Sequence, residues 1–393
     1  MSNEVVVLSA VRTAIGDYGK SLAGVAPREL GALVVREALS RASLEGGKVG
    51  QIVFGNVIHT EPADMYLARV AGIDAGLSEQ SSALTVNRLC GSGLQAVISG
   101  AQSVLLGDSE YAVTGGAESM SRAAYSMLDA RWGKRMGDAK VVDMMVGALT
   151  DPFEQYHMGQ TAENVAAKYS ISREQQDQLA LESHLRAAAA IENGYFKSQI
   201  VPVAVRTRSG MTAFDTDEHV RAGIVPEDLS KLKPAFSANG TVTAGNASSL
   251  NDGAAAVVLA SAAAAERDGH APLARLVAYG HAGVAPAFMG IGPVPAVKVA
   301  LAKARLSLSD IDVIEANEAF AAQACAVSRE LGFDRERVNP NGSGISLGHP
   351  IGATGAILVT KAIHELRRVN GRYALVTMCI GGGQGIAAIF QRL

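Results

Sequence analysis

Val86-Asn-Arg-Leu-Cys-Gly-Ser-Gly93, running into Leu94-Gln-Ala-Val-Ile-Ser-Gly-Ala101, places a cysteine where a glycine-rich turn passes into a helix-forming run. Backbone N–H groups at the first turn of a helix are unpaired, and the positive end of the helix dipole lies there, so both favour thiolate over thiol. Cys90 therefore reads as a nucleophile. Gly91 and Gly93 take side chains away from the path of an approaching carbonyl and leave backbone donors open to a developing oxyanion. The competing reading is a small buried apolar residue, the commonest fate of a free cysteine, and this stretch alone leaves both open.

Around this turn the sequence alternates. Val5 to Leu8 is a short apolar run suited to a buried strand, Arg12-Thr-Ala-Ile-Gly16 reads as a turn, Leu30 to Arg41 has helical spacing, and Gln51 to Val57 returns to strand composition. Tyr111 to Thr114 is a further strand, closed by Gly115-Gly116. Such alternation predicts a mainly parallel sheet covered by helices. A second set of elements then echoes the first. Val35-Arg-Glu-Ala-Leu-Ser-Arg-Ala-Ser-Leu44 leads to Ile52–Asn56, and Val297-Lys-Val-Ala-Leu-Ala-Lys-Ala-Arg-Leu306 leads to Ile311–Asn317 at nearly the same spacing. Val86-Asn87 matches Val338-Asn339, and Tyr111-Ala-Val matches Tyr373-Ala-Leu. Two similar α/β halves are implied, with a site between them drawing loops from both.

Between the halves, from about Glu118, the character changes. Ala162 to Asn193 reads as one long helical stretch, and Thr207 to Pro234 is charged and loop-like. This insertion holds Arg131, Lys134, Arg135, Arg206, Arg208, Arg221, Lys231 and Lys233. Each is an ordinary solvated charge on its own, but together they could form a collar for a phosphorylated ligand.

Composition narrows the function. A net charge of −3 lacks the basic excess of a nucleic-acid binder. Three widely separated cysteines form neither a disulfide framework nor a metal-type spacing. The N-terminus lacks a basic start and apolar run, and no window shows the roughly 18 to 20 apolar residues needed to span a bilayer. A cytoplasmic, unprocessed protein without a membrane segment or metal is expected.

The second half supplies the chemistry. Asn339-Pro-Asn-Gly-Ser-Gly-Ile-Ser-Leu-Gly-His-Pro-Ile-Gly-Ala-Thr-Gly355 is too rich in glycine for helix or strand and carries His349 in a loop with little packing to do. Met378-Cys-Ile-Gly-Gly-Gly-Gln-Gly385 sets Cys379 at a strand end ahead of free backbone donors. Cys325, in an alanine-rich run, reads instead as core packing. Asn317, in Glu315-Ala-Asn-Glu-Ala-Phe320, is a neutral donor fit to hold a water or a carbonyl oxygen. Two thiols, an imidazole and an amide suggest acyl chemistry: one thiol carries a thioester, while the other serves as a base beside the carbonyl.

At these residues the chain resembles the thiolase family over its whole length. The acyl-enzyme stretch at Val86–Val97, the Gly-His-Pro stretch at Asn339–Gly355, Asn-Glu-Ala-Phe at 317–320 and the Cys379 stretch at Ala374–Ala387 stand in order. The nearest group is the bacterial biosynthetic β-ketothiolases, or acetyl-CoA C-acetyltransferases, including the broad-range type linked to polyhydroxyalkanoate synthesis. The resemblance implies a five-layered α-β-α-β-α core of two βαβαβαββ halves, residues 1–119 with 249–271 and residues 272–393, and an inserted CoA-binding loop domain at 120–248. It also implies a cytoplasmic homotetramer built as a dimer of dimers.

In the implied ping-pong mechanism His349 activates Cys90, which takes the acyl group of an acyl-CoA, and Cys379 deprotonates a second, acetyl-CoA, whose carbanion attacks the acyl-enzyme. One oxyanion hole is His349 with an Asn317-bound water, the other the N–H groups of Cys90 and Gly381. Acyl-CoA is substrate, no cofactor is held permanently, and neither nucleic acid nor membrane is a partner. Contacts to CoA are implied for Leu149, His157, Met158, Arg221, Ala244, Ser248, Ala319 and Phe320, with Met289 near the acyl pocket. Ser343 departs from the common Gly-Gly of the family and bears on substrate range. A decarboxylating ketoacyl synthase would place histidine where Cys379 stands, a silent acyl-CoA carrier would lack one of the three groups, and a cysteine protease leaves the second thiol unexplained.

Overall fold

A computed structural model describes residues 4–208 and 210–393. The first half runs β1 (Val5–Thr13), α1 (Pro27–Ala42), β2 (Gln51–Gly55), α2 (Leu67–Asp74), β3 (Ser82–Val86), α3 (Ser92–Leu106), β4 (Tyr111–Ser119) and, after residues 120–250, β5 (Asn251–Ser261). The intervening segment carries α4 (Met158–Lys168), α5 (Arg173–Glu192) and a hairpin of Val203–Thr207 with Gly210–Phe214. The second half follows as β6 (Ala274–Gly283), α6 (Pro293–Ala304), β7 (Val313–Ala316), α7 (Ala321–Leu331), α8 (Thr354–Arg368), β8 (Tyr373–Ile380) and β9 (Gln384–Arg392).

The main strands stand in the order β3-β2-β4-β5-β1-β6-β9-β8-β7. Each half repeats one order outward from the centre, and the two half-sheets pair where Val6 and Val7 of β1 meet Arg275 and Ala274 of β6. The partner that β3 has in the first half shrinks in the second to a bridge between Ile314 and Val338. Val338 is the residue that the sequence repeat equates with Val86, so the duplication is structural as well as textual.

Helices α3 and α8 lie between the two half-sheets, α1 and α2 cover the outside of the first, and α6 covers the outside of the second, giving five layers. With both faces covered, β1, β4 and β5 are buried almost residue by residue, which is why they read as continuous apolar runs. The central layer needs close backbone contact. A Cβ on Gly355 would lie 2.1 Å from the Leu94 amide nitrogen, and one on Gly93 would lie 2.8 Å from that of Ala356. Glycine at both positions lets α3 and α8 cross.

Several expectations need correction. Among the described residues the sheet is parallel at β2–β3, β2–β4, β7–β8 and where Arg12 and Thr13 of β1 meet Ile200 and Val201, while its other main pairings are antiparallel. The tight Gly381–Gly383 turn between β8 and β9 can join only antiparallel strands. Arg12-Thr13 continues β1 because the buried Arg12 guanidinium forms a two-point pair with Asp217, at 2.7 and 2.9 Å, and bonds Gln199 at 2.8 Å. Gly115 and Gly116 lie inside β4 rather than ending it, where a side chain would strike the Ala255 and Gly352 carbonyls.

The stretch 162–193 is two helices. Ser170 turns left-handed at φ 50°, and Ser172 starts α5 anew with a capping box to Gln175. Within 339–355, Gly344–Leu347 forms a short helix and α8 begins at Thr354. Among the described residues Leu89–Leu106 is long and apolar enough to cross a membrane, contrary to expectation. It is α3 with its lead-in, packed in the central layer, so its apolar character belongs to the core.

Candidate active site

Both halves deliver their loops to one point. Cys90 sits between β3 and α3, one residue ahead of the Gly91 N-cap, on a turn where Leu89 takes φ 46°. Burial pushes its thiol up to about 11, and the nearby backbone of Gly381 and of Cys90 itself acts the other way. The charge of Glu118 adds a smaller upward push. The helix dipole thus does not make a resting thiolate, because desolvation outweighs it. A base is required.

His349 lies in the loop that leads into the crossing with the Cys90 helix, where a Cβ on Gly93 would lie 3.0 Å from the Ala353 carbonyl. Burial holds its imidazole down at about 4, so it is neutral at physiological pH. Its Nδ1 lies 2.7 Å from Thr354 Oγ1, and that hydroxyl gives its only hydrogen to the Pro350 carbonyl at 2.9 Å. Thr354 therefore accepts from Nδ1–H, which leaves Nε2 as the free acceptor. On that side, Asn317 Nδ2 stands 3.4 Å away. The His349 amide donates to Asn251 Oδ1 of β5 at 2.8 Å, fixing the loop to the first half.

Asn317 follows β7, and its N–H donates to the Thr377 carbonyl at 3.0 Å, two residues before Cys379. Its Oδ1 is buried with no hydrogen-bond partner among the described residues. An orphaned acceptor there suits a bound water. Cys379, near the end of β8, is fully buried. Burial raises its thiol well above the usual range, and the neighbouring Cys90 raises it further. A Cβ on Gly381 would lie 3.1 Å from both Leu89 Cδ1 and Met158 Cε, so glycine lets this turn pack against the Cys90 turn.

The residues expected near CoA divide. Met158, Met289, Ala319 and Phe320 pack with Cys379 in one apolar cluster, and Leu149 packs in another beside Cys90. The Leu149 carbonyl accepts from the Met158 amide at 2.7 Å, and the Ser248 amide donates to the Ala319 carbonyl at 2.9 Å. His157 caps α4 by accepting from the Gly159 amide and stacks on Phe236 at 4.8 Å, whose ring meets Phe320 edge-on. Arg221 and Ala244 are exposed. The Arg221 amide donates to His184, and its guanidinium makes no ion pair among the described residues.

Ser343 is buried and gives its hydroxyl to the Ala316 carbonyl, bracing the Asn317 strand. Cys325 is half-buried rather than core, and it lines a cavity of about 580 Å³ between α5 and α7 that includes none of Cys90, His349 or Cys379. Burial pushes its thiol up to about 11, as for Cys90, so position rather than acidity separates the two. Sequence reading missed Thr354, Asn251 and Phe236. Thr354 lay inside the quoted glycine-rich stretch, whereas Asn251 and Phe236 reach the site only through the fold.

A duplicated α/β fold that brings two thiols, an imidazole and an amide to the seam between its halves defines an acyl-transferring enzyme with a covalent cysteine. The comparisons agree. Residues 5–263 match the thiolase N-terminal domain and residues 270–392 the thiolase C-terminal domain. The chain is 68% identical to the Beta-ketothiolase BktB of Cupriavidus necator over 100% of both chains, and 52% identical to an acetyl-CoA acetyltransferase of Pseudomonas aeruginosa over 99% of each. The crystal structure of human mitochondrial 3-ketoacyl-CoA thiolase covers 100% of this chain and 99% of its own, with a TM-score of 0.98 and 44% identity. The chain belongs to the thiolase family. It is an acyltransferase of the β-ketothiolase and acetyl-CoA acetyltransferase class.

Proposed function

We propose that Cys90 is the acyl carrier, His349 its base and Cys379 the acid and base at the α-carbon of acetyl-CoA, in reversible formation of 3-ketoacyl-CoA from two acyl-CoA molecules. The observation that carries this reading is that the Cys379 turn packs directly on the Cys90 turn, since a Cβ on Gly91 would lie 2.5 Å from Ile380 Cδ1 and one on Gly381 3.1 Å from Leu89 Cδ1, so the loops of the two thiols meet. In cleavage, Cys90 attacks the ketone and passes its proton to neutral His349. The C2–C3 bond breaks, and the acetyl-CoA carbanion takes the proton of Cys379. CoA then gives its thiol proton to the Cys379 thiolate and takes the acyl group from Cys90, whose sulfur regains the proton held by His349.

A thiol raised by burial is protonated at rest, as this direction requires. For condensation Cys379 must ionise. With Cys90 acylated, no second thiolate can form beside it to oppose this. The Asn317 Oδ1 would hold the water that, with His349, receives the other enolate oxygen.

The acyl chain would lie along the cluster of Met158 and Met289, whose flexible thioethers adapt to chains of different length. This supports a short-chain range beyond acetyl, and with it we propose a place in polyhydroxyalkanoate synthesis and a cytoplasmic homotetramer. Residues 120–248 act as the CoA-binding loop domain, with His157, Ser248 and Arg221 among its contacts. The test is CoA-dependent cleavage of acetoacetyl-, 3-ketovaleryl- and 3-ketohexanoyl-CoA, with and without iodoacetamide. Sensitive cleavage of all three is expected. Cleavage of acetoacetyl-CoA alone would remove the broad range, and no cleavage would overturn the reading.

A further inference from the structure

Glu118 stands at the end of β4 with its carboxylate fully buried, and the acyl-transfer scheme gives it no part. Four N–H groups point at it. Asn56 Nδ2 and the Ile58 amide reach Oε1 at 3.0 and 3.1 Å, and the amides of Val57 and Gly352 reach Oε2 at 3.0 and 2.9 Å. The first three come from the segment after β2, in the half that carries Cys90. The fourth comes from the segment between His349 and α8, in the other half.

Four donors suit the ionised carboxylate, since a proton on either oxygen would face another N–H. Burial opposes ionisation and pushes the group up to about 8, with Asp64 adding to the push. No cation pairs with Glu118 among the described residues. An unpaired buried acid is costly unless its hydrogen bonds are complete, and here they are drawn from both halves at the seam where the site lies. Its charge also acts on the Cys90 thiol.

We propose that Glu118 is a positioning residue whose ionised carboxylate fastens the His349 segment to the Cys90 half and so fixes the base over the nucleophile. This rests on the assignment of Cys90 and His349 as nucleophile and base. Among the described residues the loop makes one other hydrogen bond to that half, from the His349 amide, three residues before Gly352, to Asn251, and Ile351 packs there on Ile58 and Met120. Loss of the Glu118 tie therefore loosens the imidazole without releasing the chain.

Glu118→Gln keeps the shape but turns an NH2 group toward N–H donors. The expected result is a ten- to hundredfold loss in kcat for acetoacetyl-CoA cleavage, with KM for CoA within about threefold, because a small misplacement of a base costs rate rather than uniform binding. Iodoacetamide labelling of the Cys90 peptide, followed by mass spectrometry, should move to lower pH once the charge is gone. Gly352→Ala would place a Cβ 2.5 Å from Glu118 Oε2 and strain the same tie with the charge kept. It should lose kcat without moving the labelling profile, and it decides the matter if Glu118→Gln does not fold. A folded Glu118→Gln with kcat within twofold of the parent, an unmoved labelling profile, or an unimpaired Gly352→Ala would overturn the proposal. Parent enzyme that keeps full activity after Cys90 labelling would instead overturn the nucleophile assignment.

Discussion

Nδ1 of His349 lies 2.7 Å from Oγ1 of Thr354, and because that hydroxyl spends its hydrogen on the Pro350 carbonyl, the pair fixes which imidazole nitrogen is free. The proton sits on Nδ1, on the Thr354 side, and Nε2 on the Asn317 side is left to receive one. A five-residue separation across the start of α8 thus sets a tautomer on which the first chemical step depends.

Replacing Thr354 by valine keeps the buried volume and removes the acceptor. Loss of a general base costs about 10²–10⁴-fold, and loss of its orientation alone should cost less, on the order of tenfold in kcat. Thr354→Ser should retain near-parent turnover. Steady-state cleavage of acetoacetyl-CoA measures both, and a valine variant with parental kcat would remove the role.

The two thiols should fail differently. Cys90→Ser should form no labile acyl-enzyme on incubation with acetyl-CoA. Cys379→Ser should still gain an acetyl group on Cys90 by intact-protein mass spectrometry but condense slowly, because its defect lies in the proton step. Equal loss of acylation in both would contradict the division of labour drawn from their positions.

Acid should weaken the fold through His349. Its folded value, about 4, is below the ordinary 6.5, so the unfolded chain takes up a proton first as pH falls. Stability is unaffected above about 6.5 and is lost between there and about 4. By this linkage the group accounts for roughly 2 kcal/mol of loss between pH 7 and 5. His184, also held at about 4 by burial and the nearby His219 and Arg221, should add a similar slope. Urea midpoints at the two pH values read the effect, and His349→Gln should flatten it. A parental slope in that variant would place the titration elsewhere.

Much of this site was legible because its chemistry is local. Cys90, His349 and Cys379 each sit next to glycines that declare a backbone approach, and the Val86/Val338 echo located the seam. What stayed hidden depends on partners distant in sequence. Arg12 reads as a turn residue until Asp217, more than two hundred residues on, neutralises it inside a strand. Asn251 has nothing near it in sequence to tie it to His349. The parallel-sheet expectation failed because strand alternation reports helices between strands but not the antiparallel returns β5 and β9. At Cys90 the helix dipole acts in the expected direction but desolvation outweighs it, because the half-buried thiol is packed by residues of both halves that the sequence does not bring together.

The crossing of α3 and α8 should couple stability to catalysis. A Cβ on Gly355 would sit 2.1 Å from the Leu94 nitrogen and 2.7 Å from its Cβ, neither of which is a flexible chain end. The helices must part to admit it, at about 1–3 kcal/mol for overpacking, against a gain below about 1 kcal/mol from a stiffer unfolded chain. Gly355→Ala should therefore lower the urea midpoint. Because α3 starts two residues after Cys90 and α8 five after His349, the same parting should separate nucleophile from base and lower kcat in the surviving folded enzyme. Gly24→Ala, at an exposed position where a Cβ meets nothing within 4 Å, should stay within about 0.5 kcal/mol and keep full turnover. If Gly355→Ala loses stability but keeps kcat, the helices carry the fold without setting the distance between Cys90 and His349, and the loops alone hold the site.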